Sequence, residues 1–214
     1  MKIYIVRHGE TLANKDGLLQ GWIDTPLSPL GVSLAEETGE GLKDVKFDAA
    51  FSSPLKRAVD TAKIVLSKNN YKDTPIYTDE RIKEVHLGDW EGKKFKGEGA
   101  TIPQDEVNQF FTNPFKLGRV PGGEKATEVC ERAQSFIKEL STKNYDNVLI
   151  ATHGFALRAM LNFVYENKED FWQGHVPYNC SVSILEYKNN KFTLLESDKI
   201  YYDNSEIHDR YSIK

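Results

Sequence analysis

Apolar and polar residues follow one another along this chain in two rhythms. The runs Ile3-Tyr4-Ile5-Val6 and Val148-Leu149-Ile150-Ala151 have no polar side, the pattern of strands covered on both faces. Residues 48–52 and 75–78 read as two further short strands. Between them, apolar residues recur at helical spacing. Leu30, Leu34 and Ala35 begin a face running to about Lys43, and Leu55, Ala58, Val59, Ala62, Val65 and Leu66 make a second. Ser28-Pro29 and Ser53-Pro54 each offer a capping hydroxyl followed by proline at the first helical position. Ala126, Val129, Cys130, Ala133, Phe136, Ile137 and Leu140 form the clearest amphipathic helix, and a mostly apolar helix follows His153-Gly154 to about Tyr165. Residues 181–187 and 191–195 predict a hairpin around Asn189-Asn190.

Alternating strands and helices imply an α/β fold of three layers, α/β/α, with a mainly parallel sheet and helices on both faces. The rhythm weakens over residues 88–123, which are rich in glycine and proline. That stretch reads as a lid-like insertion covering a site, with one short helix at about 105–111, inside a single domain spanning 1–214. The tail after Ser197 is polar with three tyrosines and predicts no element.

At 214 residues the chain suits one core, and 39% hydrophobic with 11% aromatic residues is enough to build it. A net charge of −4 argues against nucleic acid, so an anionic ligand must be held by a local cluster of cations. Cys130 and Cys180 have no metal-ligand spacing and read as small buried hydrophobes. With no disulfide framework, no signal-like start and no unbroken apolar run of membrane length, the expectation is a cytoplasmic protein that spans no membrane. Oligomeric state is not readable.

Three predicted strands end in polar residues: Arg7-His8, Ser52-Ser53 leading to Arg57, and Thr152-His153. In a parallel sheet these ends gather on one edge, where ligands of open α/β folds bind. Arginine is the planar, permanently charged partner of phosphate, and a neutral imidazole can attack phosphorus. Gly9 would remove a side chain from the ligand's approach. From the residues alone, His8 reads more readily as a hydrogen-bonded structural histidine and Arg57 as a solvated helix charge, whereas the position of His153 at a strand end before glycine speaks against a core histidine. A proton donor is also needed, and Glu80, Glu84, Asp89 and Glu91 all stand in one acidic stretch.

Taken together, RHGET…N…QGW.D.PLS..G at the start resembles the histidine phosphatase superfamily, which includes the cofactor-dependent phosphoglycerate mutases. SSPLKRAVDTA and ATHG resemble its second and third signatures, so the likeness spans roughly residues 1–187. The resemblance implies a phosphoglycerate mutase-like fold, with His8 as the nucleophile and Arg7, Arg57 and His153 around the phosphoryl group. It selects Glu84 as the proton donor, from the E..LG.WEG form. It places Thr11, Asn14, Gln20 and Gly21 in the first substrate loop, and Gly154 as a backbone contact. No metal and no cofactor is implied. His86 lies near enough to Glu84 to be a pocket candidate, whereas His175 and His208 read as surface or structural.

The middle of the chain departs from the mutases. Their paired arginines are absent from Lys116-Leu117-Gly118-Arg119-Val120, their tyrosine after the acid is Leu87, and Pro121-Gly122-Gly123-Glu124 resembles the phosphatase branch. The expectation is therefore a phosphatase acting on a small phosphorylated substrate through phospho-His8. Phosphoglycerate mutase activity is the alternative, and a protein that binds a phosphorylated ligand without turnover is a third. The aromatic residues Trp90, Phe95, Phe110, Phe111 and Phe115 read either as core or as an apolar wall for the leaving group.

Overall fold

The computed structural model of the chain describes residues 1–203 and Ser205; His208 and Tyr211 lie outside the described residues. Six strands form one sheet in the order β3-β2-β4-β1-β5-β6. These are β1 (Lys2–Arg7), β2 (Ala49–Ser52), β3 (Ile76–Thr78), β4 (Asn147–Thr152), β5 (Val182–Lys188) and β6 (Lys191–Lys199). The first four in that order run parallel, and β5 and β6 add an antiparallel margin. The turn between them places Asn189 and Asn190 at positive φ, a backbone that asparagine tolerates at a two-residue hairpin turn.

Both faces of the sheet are covered, which is why its central strands lack a polar side. On one face Ile3, Ile5, Val148 and Ile150 pack against Phe136, Ile137 and Leu140 of α6 (Ala126–Leu140) and Leu157 and Met160 of α7 (Gly154–Leu161). On the other, Tyr4, Val6, Leu149 and Ala151 meet Ala58, Ala62 and Val65 of α3 (Lys56–Ser67). Each such large side chain contributes about 1.5–3 kcal/mol on burial. In α2 (Pro29–Gly41), Ser28 accepts from Gly31 N at 3.0 Å with proline at the first position, as the sequence predicts.

Local details differ from the sequence reading. Ser53-Pro54 does not start α3; Leu55 is its extended N-cap, and the Ser53 hydroxyl instead meets His153. A one-turn helix α1 (Leu12–Asp16) follows β1, closed by a capping box between Thr11 and Asn14 that the apolar rhythm does not register. Residues 88–123 hold a 3₁₀ turn at Gly88–Trp90 and two helices, α4 (Gln104–Thr112) and α5 (Pro114–Leu117). Val107 and Phe110 of this stretch pack with Phe155, Phe171 and Trp172, which ties it to α7 and the loop beyond. The tail also takes a place: Tyr201 fills the space that Gly41 leaves open, and Tyr202 donates to Asn179 O at 2.7 Å. No helix among the described residues is long and apolar enough to cross a membrane.

Candidate active site

Register places the chemistry. Arg7 lies opposite Thr152 and Ser52 opposite Ala151, so the three polar strand ends share one edge of the sheet. A cavity of about 490 Å³, including its open mouth, lies there. Arg7, His8, Asn14, Gln20, Gly21, Arg57, Glu84 and Gly154 line it, eight of the ten residues that the resemblance selects. Thr11 and His153 are not among its lining residues.

His8 is buried, and its ring Nδ1 lies 2.8 Å from Gly9 O. A carbonyl can only accept, so Nδ1 carries the proton and Nε2 keeps its lone pair. Burial first, then the positive charges of Arg57 and Arg7, hold the imidazole well below the usual histidine range. The result is a neutral imidazole near two guanidinium groups. The His153 ring centroid is 5.2 Å from that of His8. Its Nε2 pairs with Ser53 Oγ at 2.7 Å, while its buried Nδ1 has no hydrogen-bond partner among the described residues. Burial, followed by Arg57, also pushes His153 well below the histidine range.

Arg57 is fixed by the first loop. Its Nη2 donates to Gly21 O at 2.7 Å and its Nη1 to Ile23 O at 2.9 Å and Asp24 Oδ1 at 3.1 Å, leaving Nε buried without a partner among the described residues. Arg7 Nη1 donates to Pro177 O, which anchors the opposite wall. Gly21 has φ +55°, and a Cβ there would sit 2.2 Å from Glu91 Oε1, so this turn requires glycine. Gly154 brings the start of α7 against Arg7, with the Cβ position 3.5 Å from Arg7 Nε.

Both helix starts at the site are already capped by acidic side chains from distant loops. Asp24 accepts from Lys56 N and Arg57 N at the start of α3. Glu84 Oε1 accepts from Ala156 N and Val85 N, each at 3.0 Å, and its Oε2 only from Phe155 N at 3.4 Å. The amino terminus of α3, where a helix favours an anion, is thus occupied by Asp24. The reading of Gly9 needs correction. A Cβ there would lie 2.5 Å from Gly31 O, so its missing side chain lets the loop dock on α2 and does not open the ligand's path.

The remaining assignments divide. Thr11 caps α1 and holds Asn14, whose Oδ1 accepts from Thr11 N at 3.1 Å. Gln20 Oε1 accepts from Thr25 Oγ1 at 3.0 Å. His86 does not line the cavity; it stacks on Trp22 with ring centroids 4.3 Å apart. Trp90 and Phe95 are buried core and Phe115 packs edge-on to Phe171, whereas Phe110 and Phe111 line the cavity. Three parts escape the sequence reading. Asp24 was visible as a letter in the first signature, but its partner Arg57 is 33 residues away. Ser53 was visible only as a cap. Arg132 reaches from α6 to the carbonyls of Arg81, Lys83 and Glu84 at 2.7–2.8 Å, and Glu124 holds it in turn. No groups of three or more histidine, cysteine or acidic residues that could hold a metal occur among the described residues.

Comparison with known proteins is consistent with this geometry. The family model of the histidine phosphatase superfamily (branch 1) matches residues 3–199. The chain is 30% identical to the metal-independent phosphoserine phosphatase of Arabidopsis thaliana over 90% of its own length and 79% of that protein's. It is 32% identical to a 2,3-bisphosphoglycerate-dependent phosphoglycerate mutase of Gloeobacter violaceus, over 74% and 73%. Among solved structures, YhfR of Bacillus stearothermophilus superposes with a TM-score of 0.84 at 31% identity, covering 93% of this chain and 97% of that one.

Proposed function

This chain belongs to the histidine phosphatase superfamily, branch 1, and from that premise we propose that it is a metal-independent phosphatase working through a phosphohistidine on His8. The observation that carries the reading is the state of His8: neutral, its proton committed to Gly9 O, its Nε2 lone pair beside Arg7 and Arg57. In the first step Nε2 bonds to phosphorus as the ester P–O bond breaks, and the Glu84 carboxyl gives its proton to the leaving oxygen. Arg7, Arg57 and His153 balance the charge that spreads over the equatorial oxygens. In the second step the Glu84 carboxylate takes a proton from water, whose oxygen bonds to phosphorus as the P–N bond breaks. Phosphate leaves and His8 is restored. Glu84 Oε2, with one long hydrogen bond, is the oxygen best able to exchange that proton.

On this reading the substrate is a small phosphorylated molecule and the workplace the cytoplasm, where the buried free thiols Cys130 and Cys180 stay reduced. The test is phosphate release from p-nitrophenyl phosphate with chelator present, by wild type and His8→Ala, beside acid-labile labelling of the enzyme. Chelator-resistant release that vanishes in His8→Ala, with label on histidine, is the expected result. Isomerised 3-phosphoglycerate with little free phosphate would make it a mutase. Full activity in His8→Ala would end the proposal.

A further inference from the structure

Away from its charged end the cavity changes character. Arg7, Arg57 and Glu84 are its only charged lining residues among those described; Arg7 and Arg57 lie near His8, and Glu84 lies near Arg57. Beyond them the wall is Leu18, Leu87, Phe110, Phe111, Phe155 and Val176. Phe110 stacks on Phe155 with centroids 5.4 Å apart and meets Phe111 edge-on at 4.9 Å. Trp172 also lines the cavity, but its indole N–H donates to Phe110 O at 2.8 Å. The polar side chains are Asn14 of α1, which accepts from Thr11 N, and Gln20 of the loop after it, which accepts from Thr25 Oγ1.

Resting on the phosphatase reading above, we propose that the alcohol released by this site is uncharged and apolar, of the size of one aromatic ring. Two arguments meet here. A ring placed against these walls leaves water and gains roughly tenfold or more in affinity. A carboxylate on the same alcohol would face phenyl and alkyl groups, with no lining cation among the described residues except the two already engaged by phosphate. Phosphomonoesters carrying a second anion should therefore be the poor substrates.

The test compares benzyl phosphate, glycerol 1-phosphate and phosphoserine, three alkyl esters whose leaving alcohols differ mainly in polarity. Wild type should favour benzyl phosphate by about tenfold or more in kcat/KM over each of the others. Binding of the same esters to His8→Ala, measured by calorimetry, should follow the same order. Phe111→Ala should lower the benzyl-to-glycerol ratio of kcat/KM several-fold. Phosphoserine bound as tightly as benzyl phosphate, or no binding of any ester, overturns the inference. Turnover of all three at similar kcat/KM with equal binding removes this inference and leaves the phosphatase reading. Preferential binding of benzyl phosphate without any turnover does the reverse.

Discussion

Gly21 shows how much of the site rests on single atoms. Its carbonyl holds Arg57, its φ of +55° is one that side chains rarely adopt, and Glu91 fills the space beside it. Gly21→Ala should therefore cost about 1–3 kcal/mol in denaturant stability and lower kcat, because the loop must move and Arg57 with it. Glu84 gives a sharper chemical prediction. An activated ester such as p-nitrophenyl phosphate needs no acid to depart, but water still needs a base. Glu84→Gln should show a burst of p-nitrophenol in rapid mixing, then turnover slowed about 10²–10⁴-fold, with phosphoenzyme accumulating. Turnover near that of wild type would remove Glu84 from the chemistry. At this scale most of the site was legible, because Arg7, His8, Arg57 and His153 stand in unlike, ordered motifs. Gly9 was misread because nothing near it in sequence reveals that Gly31 would be its neighbour.

Elements decide how those residues are held. The amino terminus of α7 donates to Glu84, so the helix that carries Gly154 also positions the proposed proton donor. From behind, Arg132 of α6 clamps the carbonyls of residues 81, 83 and 84 and forms a two-toothed ion pair with Glu124. Arg132→Met would take this donor from the carbonyls of Arg81 and Lys83, whereas Glu84 O keeps Trp22 Nε1 and Glu124 keeps His86 N. It should cost about 1–3 kcal/mol in urea denaturation and reduce kcat through misplacement of Glu84. Arg132→Lys should recover only part of both, since one ammonium cannot match the guanidinium fork. The helix itself was plain from its apolar spacing. The polar face that does this work was not, because its targets lie about fifty residues earlier.

At the scale of the whole molecule, folding buries two imidazoles beside two guanidinium groups, and this has a pH signature. Unfolded, His8 and His153 titrate near 6.5; folded, burial and the arginines hold both well below that. Below about pH 6.5 the unfolded chain binds more protons, so stability present above that pH is lost as the pH falls toward the folded values. Each imidazole contributes a slope of up to about 1.4 kcal/mol per pH unit in that window. Denaturant midpoints taken from pH 6.5 to 5 should therefore fall more steeply for wild type than for the His8→Gln, His153→Gln double variant. Equal slopes would mean that the histidines are not held neutral.

The sequence by itself determined the layers, the mainly parallel sheet and the edge where chemistry gathers. Apolar periodicity is a local property, and strand ends in a parallel sheet must coincide. The tertiary structure alone decided that Asp24 and Glu84 cap the helices at the site, that Ser53 serves His153 in place of a helix, and that Phe110 and Phe111 wall the cavity while Trp90 and Phe95 fill the core. Each of these depends on which distant backbone N–H or ring comes within a few ångströms. That is settled by the packing of all layers at once, and no short window of sequence contains it.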